Sequence, residues 1–91
     1  ERVDLDEGAL SLLNEKLNMI QEFIDEEPEV TITYFEPDKK KSGGAYVNIT
    51  GIVKRIDEYE HLVIMTDDKK IRIEDIYGLE SYLFYSLGVD D

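Results

Sequence analysis

The sequence predicts an α+β domain in which one N-terminal amphipathic helix packs on a small, strongly bent antiparallel sheet. Three observations indicate this class. Apolar residues recur at intervals of three and four in the first third of the chain, apolar and polar residues then alternate, and turn-forming residues recur at regular intervals after residue 36. Strands that follow one another so closely favour a sheet that closes on itself as a small barrel.

The helix is predicted over residues 6–27. Asp6 is placed to cap its first turn, and Glu7 adds a carboxylate where the helix dipole favours negative charge. Pro28 ends the helix because the residue before a proline is pushed out of the helical conformation. The apolar stripe either packs on the sheet or pairs two copies of the chain in a short coiled coil; it comprises Leu10, Leu12, Leu13, Leu17, Ile20, Phe23 and Ile24.

Two long strands form the centre of the predicted sheet. The first covers 30–36, and its two faces carry different residues: Val30, Ile32 and Tyr34 on one, and Thr31, Thr33 and Phe35 on the other. Pro37 ends this strand, and the Lys/Gly-rich segment 38–44 is a solvated loop. The second strand covers 46–56. We expect it to bend at Gly51, which has no side chain to pack, and so to contribute to both halves of the barrel.

The remaining predicted elements are short. They are a turn, an apolar strand, a hairpin turn, an alternating strand, and a helical turn that leads into a last strand, at 57–60, 62–65, 67–70, 71–74 and 75–79. The tail 81–91 is unusually apolar for a chain terminus, and Tyr82 and Phe84 are among its aromatic residues. It either folds back over an open end of the barrel or forms an association surface.

Length and composition restrict the classes of function. The chain 1–91 is short enough to form one domain, and so small a core makes a partner or a second copy an expectation. The net charge of −12 repels phosphate backbones and therefore disfavours nucleic acid as a partner. No cysteine is present, which is typical of a cytoplasmic protein, and no apolar run is long enough to cross a membrane.

The sequence contains no pattern that predicts catalysis. His61 is the one histidine, and without cysteine it is a poor basis for a zinc site. The serines lack the glycine-flanked elbow of serine hydrolases. Gly43 and Gly44 follow three lysines, but a phosphate-binding loop opens a helix, and here a strand follows. We therefore predict that the chain is not an enzyme and uses neither a metal ion nor a cofactor.

The order of helix, strand, bent strand and short strands resembles an Sm-like or SH3-like barrel. The first Sm sequence block is similar to a set of residues in this chain, namely Gly51, Val53, Ile56, Asp57, Leu62, Val63 and Ile64. His61 stands near the position of that block's asparagine, and Glu74-Asp75 stand where the second block has Arg-Gly. Because those positions contact RNA bases in Sm proteins, this resemblance implies the architecture and not RNA binding.

The chain also resembles the YolD-like family of small proteins from Gram-positive bacteria and their phages, over roughly residues 5–80. The order and spacing of several short pieces carry this resemblance. The pieces are Leu13 and Leu17 of the helix, the strand 30–35, Gly43-Gly44 with Tyr46, the segment 51–57, and Ile71, Ile73, Asp75 and Ile76.

The YolD-like resemblance implies a non-catalytic accessory role. Members of that family have been proposed as accessory subunits of Y-family, error-prone DNA polymerases, so the implied partner is such a polymerase in the DNA-damage (SOS) response. The expected contact residues are Phe35, Gly43, Gly44, Tyr46, Asp57, Tyr82 and Phe84.

Two other functions remain open at the level of sequence. One is a single-stranded nucleic-acid binder that uses an Sm-like surface. The other is a ligand-sensing module with an aromatic pocket lined by Tyr34, Tyr46 and Tyr77. The apolar tail also predicts self-association, because exposed apolar surface favours contact between copies.

Overall fold

One long helix and a five-stranded antiparallel sheet make up most of the chain. The computed structural model describes residues 4–86. Its helices and strands are α1 (Glu7–Glu22), β1 (Glu29–Pro37), β2 (Gly44–Asp57), β3 (Leu62–Met65), β4 (Lys70–Arg72), β5 (Ile76–Glu80) and α2 (Tyr82–Ser86). Short 3₁₀ turns follow α1 at Ile24–Glu26 and precede β5 at Ile73–Asp75. The predicted α+β class is confirmed.

Helix α1 begins where the sequence predicts. The Asp6 carboxylate accepts a hydrogen bond from the backbone N–H of Ala9 at 2.8 Å, and so satisfies a donor that the helix leaves unpaired. The helix ends at Glu22, earlier than residue 27, because the chain tightens into a 3₁₀ turn and then passes through Glu27 with a φ of 53°. Part of the predicted apolar stripe is buried, namely Leu13, Leu17 and Ile20.

The strand order is β4-β3-β2-β1-β5, and every neighbouring pair is antiparallel. Strand β2 joins the two halves of the sheet, since its first part pairs with β1 and its last part with β3. The irregularity lies between Val53 and Arg55, beyond the predicted position at Gly51. Gly51 instead pairs regularly with Val30, and the Met65 methyl group lies 3.3 Å from the place of a Cβ there.

The prediction that the sheet closes into a barrel is wrong. β4 and β5 are the two edges of the sheet, and no ladder of hydrogen bonds joins them within residues 4–86. β4 has only three residues, and the chain then enters a 3₁₀ turn. Few backbone N–H and C=O groups of β4 are therefore available to pair with β5. β5 meets α1 instead, where Lys16 Nζ donates a hydrogen bond to the carbonyl oxygen of Leu79 at 3.1 Å.

The core lies between α1, one face of the sheet and α2. Val30, Ile32 and Tyr34 are buried, as their alternation along β1 predicts. Phe35 is predicted on the opposite face, and there it is 7% exposed because Tyr46 and Gly44 pack against it. The other buried members of the core are Leu13, Leu17, Ile20, Val53, Val63, Met65, Ile71, Ile76, Leu79, Leu83 and Phe84.

The start of the C-terminal tail folds back onto the domain. Leu83 and Phe84 of α2 enter the core, while Tyr82 stays on the surface. The Ser81 hydroxyl fixes the entry to α2, because it donates to the carbonyl oxygen of Glu29 at 2.8 Å and accepts from the Leu83 N–H at 3.2 Å. Of the two predictions for the tail, folding back is therefore confirmed for Tyr82–Ser86, although no barrel end is present. The prediction also covers residues 87–91 of the tail, which lie outside the described residues.

Candidate functional site: a groove along the first helix

A row of three aromatic rings crosses the sheet near the start of β2. The Tyr46 ring lies edge-on to Phe35, with ring centroids 5.4 Å apart, and edge-on to Tyr77, with centroids 5.3 Å apart. Edge-to-face pairs of this kind are favourable beyond the area that they bury. The row runs from a buried ring to an exposed one, since Tyr77 of β5 is 46% exposed. Tyr46 therefore lies between a buried ring, that of Phe35, and an exposed ring, that of Tyr77.

The two predicted glycine contacts belong to the turn between β1 and β2. Gly43 has a φ of 93°, a conformation that glycine adopts readily, and its carbonyl oxygen accepts a hydrogen bond from the Asp38 N–H at 3.0 Å. A Cβ on Gly44 would collide with the carbonyl oxygen of Glu36 and lie 2.8 Å from Phe35 Cζ. The structure thus places both glycines where backbone geometry and close packing require them.

A cleft of about 410 Å³ opens between the start of α1 and the Tyr77 end of the aromatic row. Its lining combines apolar residues of α1 with residues of β2, β5 and the 3₁₀ turn before β5; Leu10, Leu13, Tyr46, Ile73, Ile76 and Tyr77 are among them. Leu10 was predicted in the packed stripe of α1, yet it is 46% exposed here. The sheet leaves this helical turn uncovered because β5 contacts the neighbouring side of α1.

A second cleft of about 510 Å³ continues the first along α1. The two share Asn14, His61 and Ile73, so they adjoin one another. Its helical wall also presents Asn18 and Gln21, and its other wall presents residues at the end of β2. We call the two joined clefts the α1 groove. One end of the α1 groove is apolar and aromatic, and the other is rich in side-chain amides.

The α1 groove carries negative charge. Four acids line it, Asp4, Glu58, Glu74 and Asp75, and no lysine or arginine lines it in the described part of the chain. Arg72 lies at its rim, 2.9 Å from a Glu74 carboxylate oxygen and 3.8 Å from an Asp75 carboxylate oxygen. The hydrogen bond from Arg72 holds the pKa of Glu74 below its ordinary value of 4.5. Glu74 therefore stays ionised at neutral pH.

The turn between β2 and β3 brings a further predicted residue to the edge of the α1 groove. Asp57 accepts a hydrogen bond from the Glu60 N–H at 2.9 Å and pairs with Arg55 at 3.3 Å. These two contacts, the first above all, lower the pKa of Asp57 from 3.8. Asp57 thus shapes the turn that ends at His61, whose φ is 60° and whose side chain lines both clefts.

The other predicted contact residues lie apart from the α1 groove. Tyr82 is 62% exposed on the outer side of α2, whereas Phe84 is 1% exposed and belongs to the core. Of the three tyrosines predicted to share a pocket, Tyr46 and Tyr77 do line one cleft. Tyr34 is buried, and its ring centroid lies 5.8 Å from the ammonium group of Lys69. The first cleft therefore contains two of the three tyrosines predicted to share a pocket, and the predicted contact residues Tyr82 and Phe84 do not line the α1 groove.

Sequence reasoning missed the residues of α1 that line the α1 groove, namely Leu10, Asn14, Asn18 and Gln21. Leu10 is predicted in the apolar stripe of the helix, and no role is predicted for the three amides. A signal was available, because Asn14, Asn18 and Gln21 recur at helical spacing on one side of the apolar stripe. What the spacing cannot tell is that the sheet stops short of this side.

Within residues 4–86 no group of three or more His, Asp or Glu side chains is placed to hold a metal ion. None of the helices in that range is both long and apolar enough to cross a membrane. Comparison with protein-family models, with curated proteins and with solved structures gave no match.

Proposed function

We propose that this chain is a non-catalytic protein-interaction domain that holds its partner in the α1 groove. The observation that supports the proposal is the groove itself, where Leu10 and Tyr77 remain 46% exposed beside polar amides. Exposed apolar side chains within a polar rim are typical of protein-binding surfaces. Tyrosine is especially favourable there, because its ring packs on apolar surface while its hydroxyl group forms hydrogen bonds.

The partner that we propose is a Y-family, error-prone DNA polymerase, to which the chain is an accessory subunit in the DNA-damage response. The support for this partner is the similarity to the YolD-like family in the order and spacing of the motifs named above. An accessory subunit needs no catalytic group of its own, because binding to the folded polymerase is sufficient to stabilise it.

Direct binding to the polymerase tests the proposal. The 91-residue chain is immobilised, and the Y-family polymerase of the same organism is passed over it at increasing concentration. We expect binding at micromolar concentration or below, and a loss of tenfold or more in affinity for Tyr77→Ala, as for an interface tyrosine that anchors a partner. Tyr59→Ala is the matched control, since Tyr59 is 91% exposed and lies outside the α1 groove. Absence of binding at micromolar polymerase contradicts the proposed partner.

A small-ligand sensing role is the second candidate. The first cleft, at about 410 Å³, is of the size that ligand pockets have, and Tyr46 and Tyr77 supply aromatic lining. A screen of aromatic fragments by thermal unfolding tests this role. It predicts fragments that raise Tm for the wild-type chain and fail to do so for Tyr77→Ala. If no fragment raises Tm, the sensing role is contradicted while the protein-interaction role is untouched.

The charge of the groove argues against the nucleic-acid alternative. Four acidic residues line it, three of them exposed, and the whole chain has a net charge of −12. Nucleic-acid affinity comes largely from cations that neutralise phosphates, which this surface does not supply. Filter binding of single-stranded DNA and RNA at low salt is expected to show no retention. Retention that weakens steeply with added salt would revive this alternative.

A further inference from the structure

We infer that the α1 groove binds an extended, positively charged segment of the partner protein, an inference that rests on the protein-interaction role proposed above. Three properties of the groove support it. Its amide side chains are spaced for an extended backbone, its lining is acidic, and one of its ends is apolar. Each property selects a different feature of the ligand.

The spacing of the amides matches an extended peptide. Asn14 and Asn18 lie four residues apart on α1, which separates them by about 6 Å along the helix axis. In an extended chain, residues i and i+2 face the same side and lie about 6.6 Å apart. Each Asn side chain offers one carbonyl oxygen and one amide nitrogen, which are the partners that a backbone N–H and C=O require. Both side chains are exposed and so accessible to a ligand.

The length of the α1 groove sets the length of the segment. Along α1 its lining runs from Leu10 to Gln21, a rise of about 16 Å. An extended chain covers that distance in about five residues. Gln21 lies three residues beyond Asn18, and its longer side chain extends the row of amides to the far end. A segment of about five residues therefore contacts the whole groove.

The charge of the lining selects positive side chains on the segment. Asp4 lines the first cleft and Glu58 lines the second, so acidic groups lie toward both ends. Glu74 and Asp75 add negative charge to the first cleft, and Arg72 offsets part of it through its contacts with both. Lysine or arginine on the solvent side of a bound segment would lie near these carboxylates. Charge complementarity of this kind contributes to specificity and to the rate of association.

The apolar end selects a hydrophobic anchor. Leu10 and Tyr77 are half-exposed at that end, and Ile76 of the core also lines it. An apolar side chain of the segment would cover Leu10 and Tyr77 and exclude water from them. Because side chains alternate along an extended chain, an apolar residue can face Leu10 and Tyr77 while the basic residues beside it point to the other side of the segment and reach the carboxylates at the groove edge.

A set of synthetic peptides tests the inference on the full chain. Each is a capped nine-residue peptide in which lysine alternates with one apolar type, which is leucine, phenylalanine, tyrosine or valine. Binding is followed by amide chemical shifts of the ¹⁵N-labelled protein and by calorimetry. We expect at least one peptide to bind, with the largest shifts at Asn14, Asn18 and Tyr77. Asn18→Ala is expected to weaken binding up to about tenfold through the lost hydrogen bonds.

Two controls separate recognition in the groove from general attraction to an acidic protein. Glu58→Gln and Glu15→Gln remove the same charge, but only Glu58 lines the α1 groove. We expect the larger loss of affinity for Glu58→Gln, and equal losses would overturn the inference. A peptide methylated on alternate backbone nitrogens cannot donate to the amide side chains. It is expected to bind more weakly, and equal binding would overturn recognition of an extended backbone.

The remaining outcomes distinguish this inference from the proposed partner. If the polymerase binds and Asn18→Ala and Glu58→Gln leave its affinity unchanged, the groove inference fails and the partner stands. If the peptides bind in the groove and the polymerase does not bind, the partner is wrong and the groove inference stands. If none of the four peptides binds at millimolar concentration, the inference fails.

Discussion

The two flanks of α1 hold polar side chains in opposite situations. On one flank Lys16 is 6% exposed, donates a hydrogen bond to the Leu79 carbonyl oxygen and lies 5.2 Å from the centroid of the Phe84 ring. On the other flank Asn14 and Asn18 are exposed beside the α1 groove. We call these the closed flank and the open flank. They lie on the same helix, so helix geometry alone does not produce the difference.

The two flanks differ because different structural elements contact them. β5 and α2 lie against the closed flank, and the long stem of Lys16 packs among apolar residues while its ammonium group reaches a carbonyl oxygen. The open flank faces only the turn between β2 and β3 and the 3₁₀ turn before β5. A polar residue on an amphipathic helix therefore does not by itself mark the solvent side. Four predictions test this comparison.

The largest effect is expected from loss of the ring that closes one flank. Phe84→Ala removes a side chain that is 1% exposed, and we expect a loss of about 3–5 kcal/mol in the free energy of unfolding. Urea unfolding followed by circular dichroism measures it. Tyr82→Ala on the outer side of α2 is the control, with an expected change within about 0.5 kcal/mol. Similar losses for the two variants would show that α2 does not close the flank.

Removal of the buried ammonium group is expected to have the next largest effect. Lys16→Ala leaves the Leu79 carbonyl oxygen without this donor and removes the contact with Phe84, so we expect a loss of about 2 kcal/mol. Asn14→Ala, on the open flank, is expected to change the free energy of unfolding by less than about 0.5 kcal/mol. If urea unfolding gives equal losses of free energy for the two variants, the distinction between the closed and the open flank is contradicted.

A smaller effect of opposite sign is expected on the open flank. His61 has a φ of 60°, which costs energy for any residue with a Cβ. The left-handed conformation costs a residue with a Cβ about 1–2 kcal/mol, and the greater freedom of glycine in the unfolded chain offsets part of that cost, so His61→Gly is expected to raise the free energy of unfolding by up to about 1 kcal/mol. His61→Ala keeps the Cβ and serves as the control, with no gain expected. A gain for alanine as large as that for glycine would assign the effect to the imidazole ring and not to the backbone.

The smallest expected effect concerns pH and the turn that borders the α1 groove. The contacts with Glu60 and Arg55 lower the pKa of Asp57 from 3.8 in the folded protein. The ionised carboxylate therefore stabilises the fold at pH values above 3.8, and this contribution is lost as the pH falls through the lowered pKa. Asp57→Asn is expected to destabilise the chain more at pH 7 than at pH 2.5, as measured by urea unfolding. A pH-independent difference would contradict this account, and Glu58→Gln controls for loss of one carboxylate.

Much of the fold follows from local pattern. The cap at Asp6, the alternation along β1 and the apolar run of β3 each predict an element that the structure contains. The errors concern pairing over long distances. The sequence pattern does not reveal that β4 is too short to close a barrel, because closure depends on which backbone groups meet at the two edges of the sheet.

The candidate site was only partly predictable, for a related reason. Tyr46 and Asp57 were predicted as contact residues, and the structure places Tyr46 in the first cleft and Asp57 in the turn beside it. Asn14, Asn18 and His61 are not among the predicted contact residues, since neither the helical spacing of the amides nor a single histidine shows which residues lie opposite them. Their significance depends on the wall that faces α1, which is formed by residues far away in the chain.

The sequence by itself determined the class of the domain, the start of its helix, its main strands and its acidic character. These properties arise from the conformational preferences and charges of neighbouring residues, which act over a few positions. Only the tertiary structure decided that Lys16 is buried, that the sheet stays open and that the α1 groove exists. The physical reason is the range of the contacts: the hydrogen bond from Lys16 to Leu79 joins residues 63 positions apart.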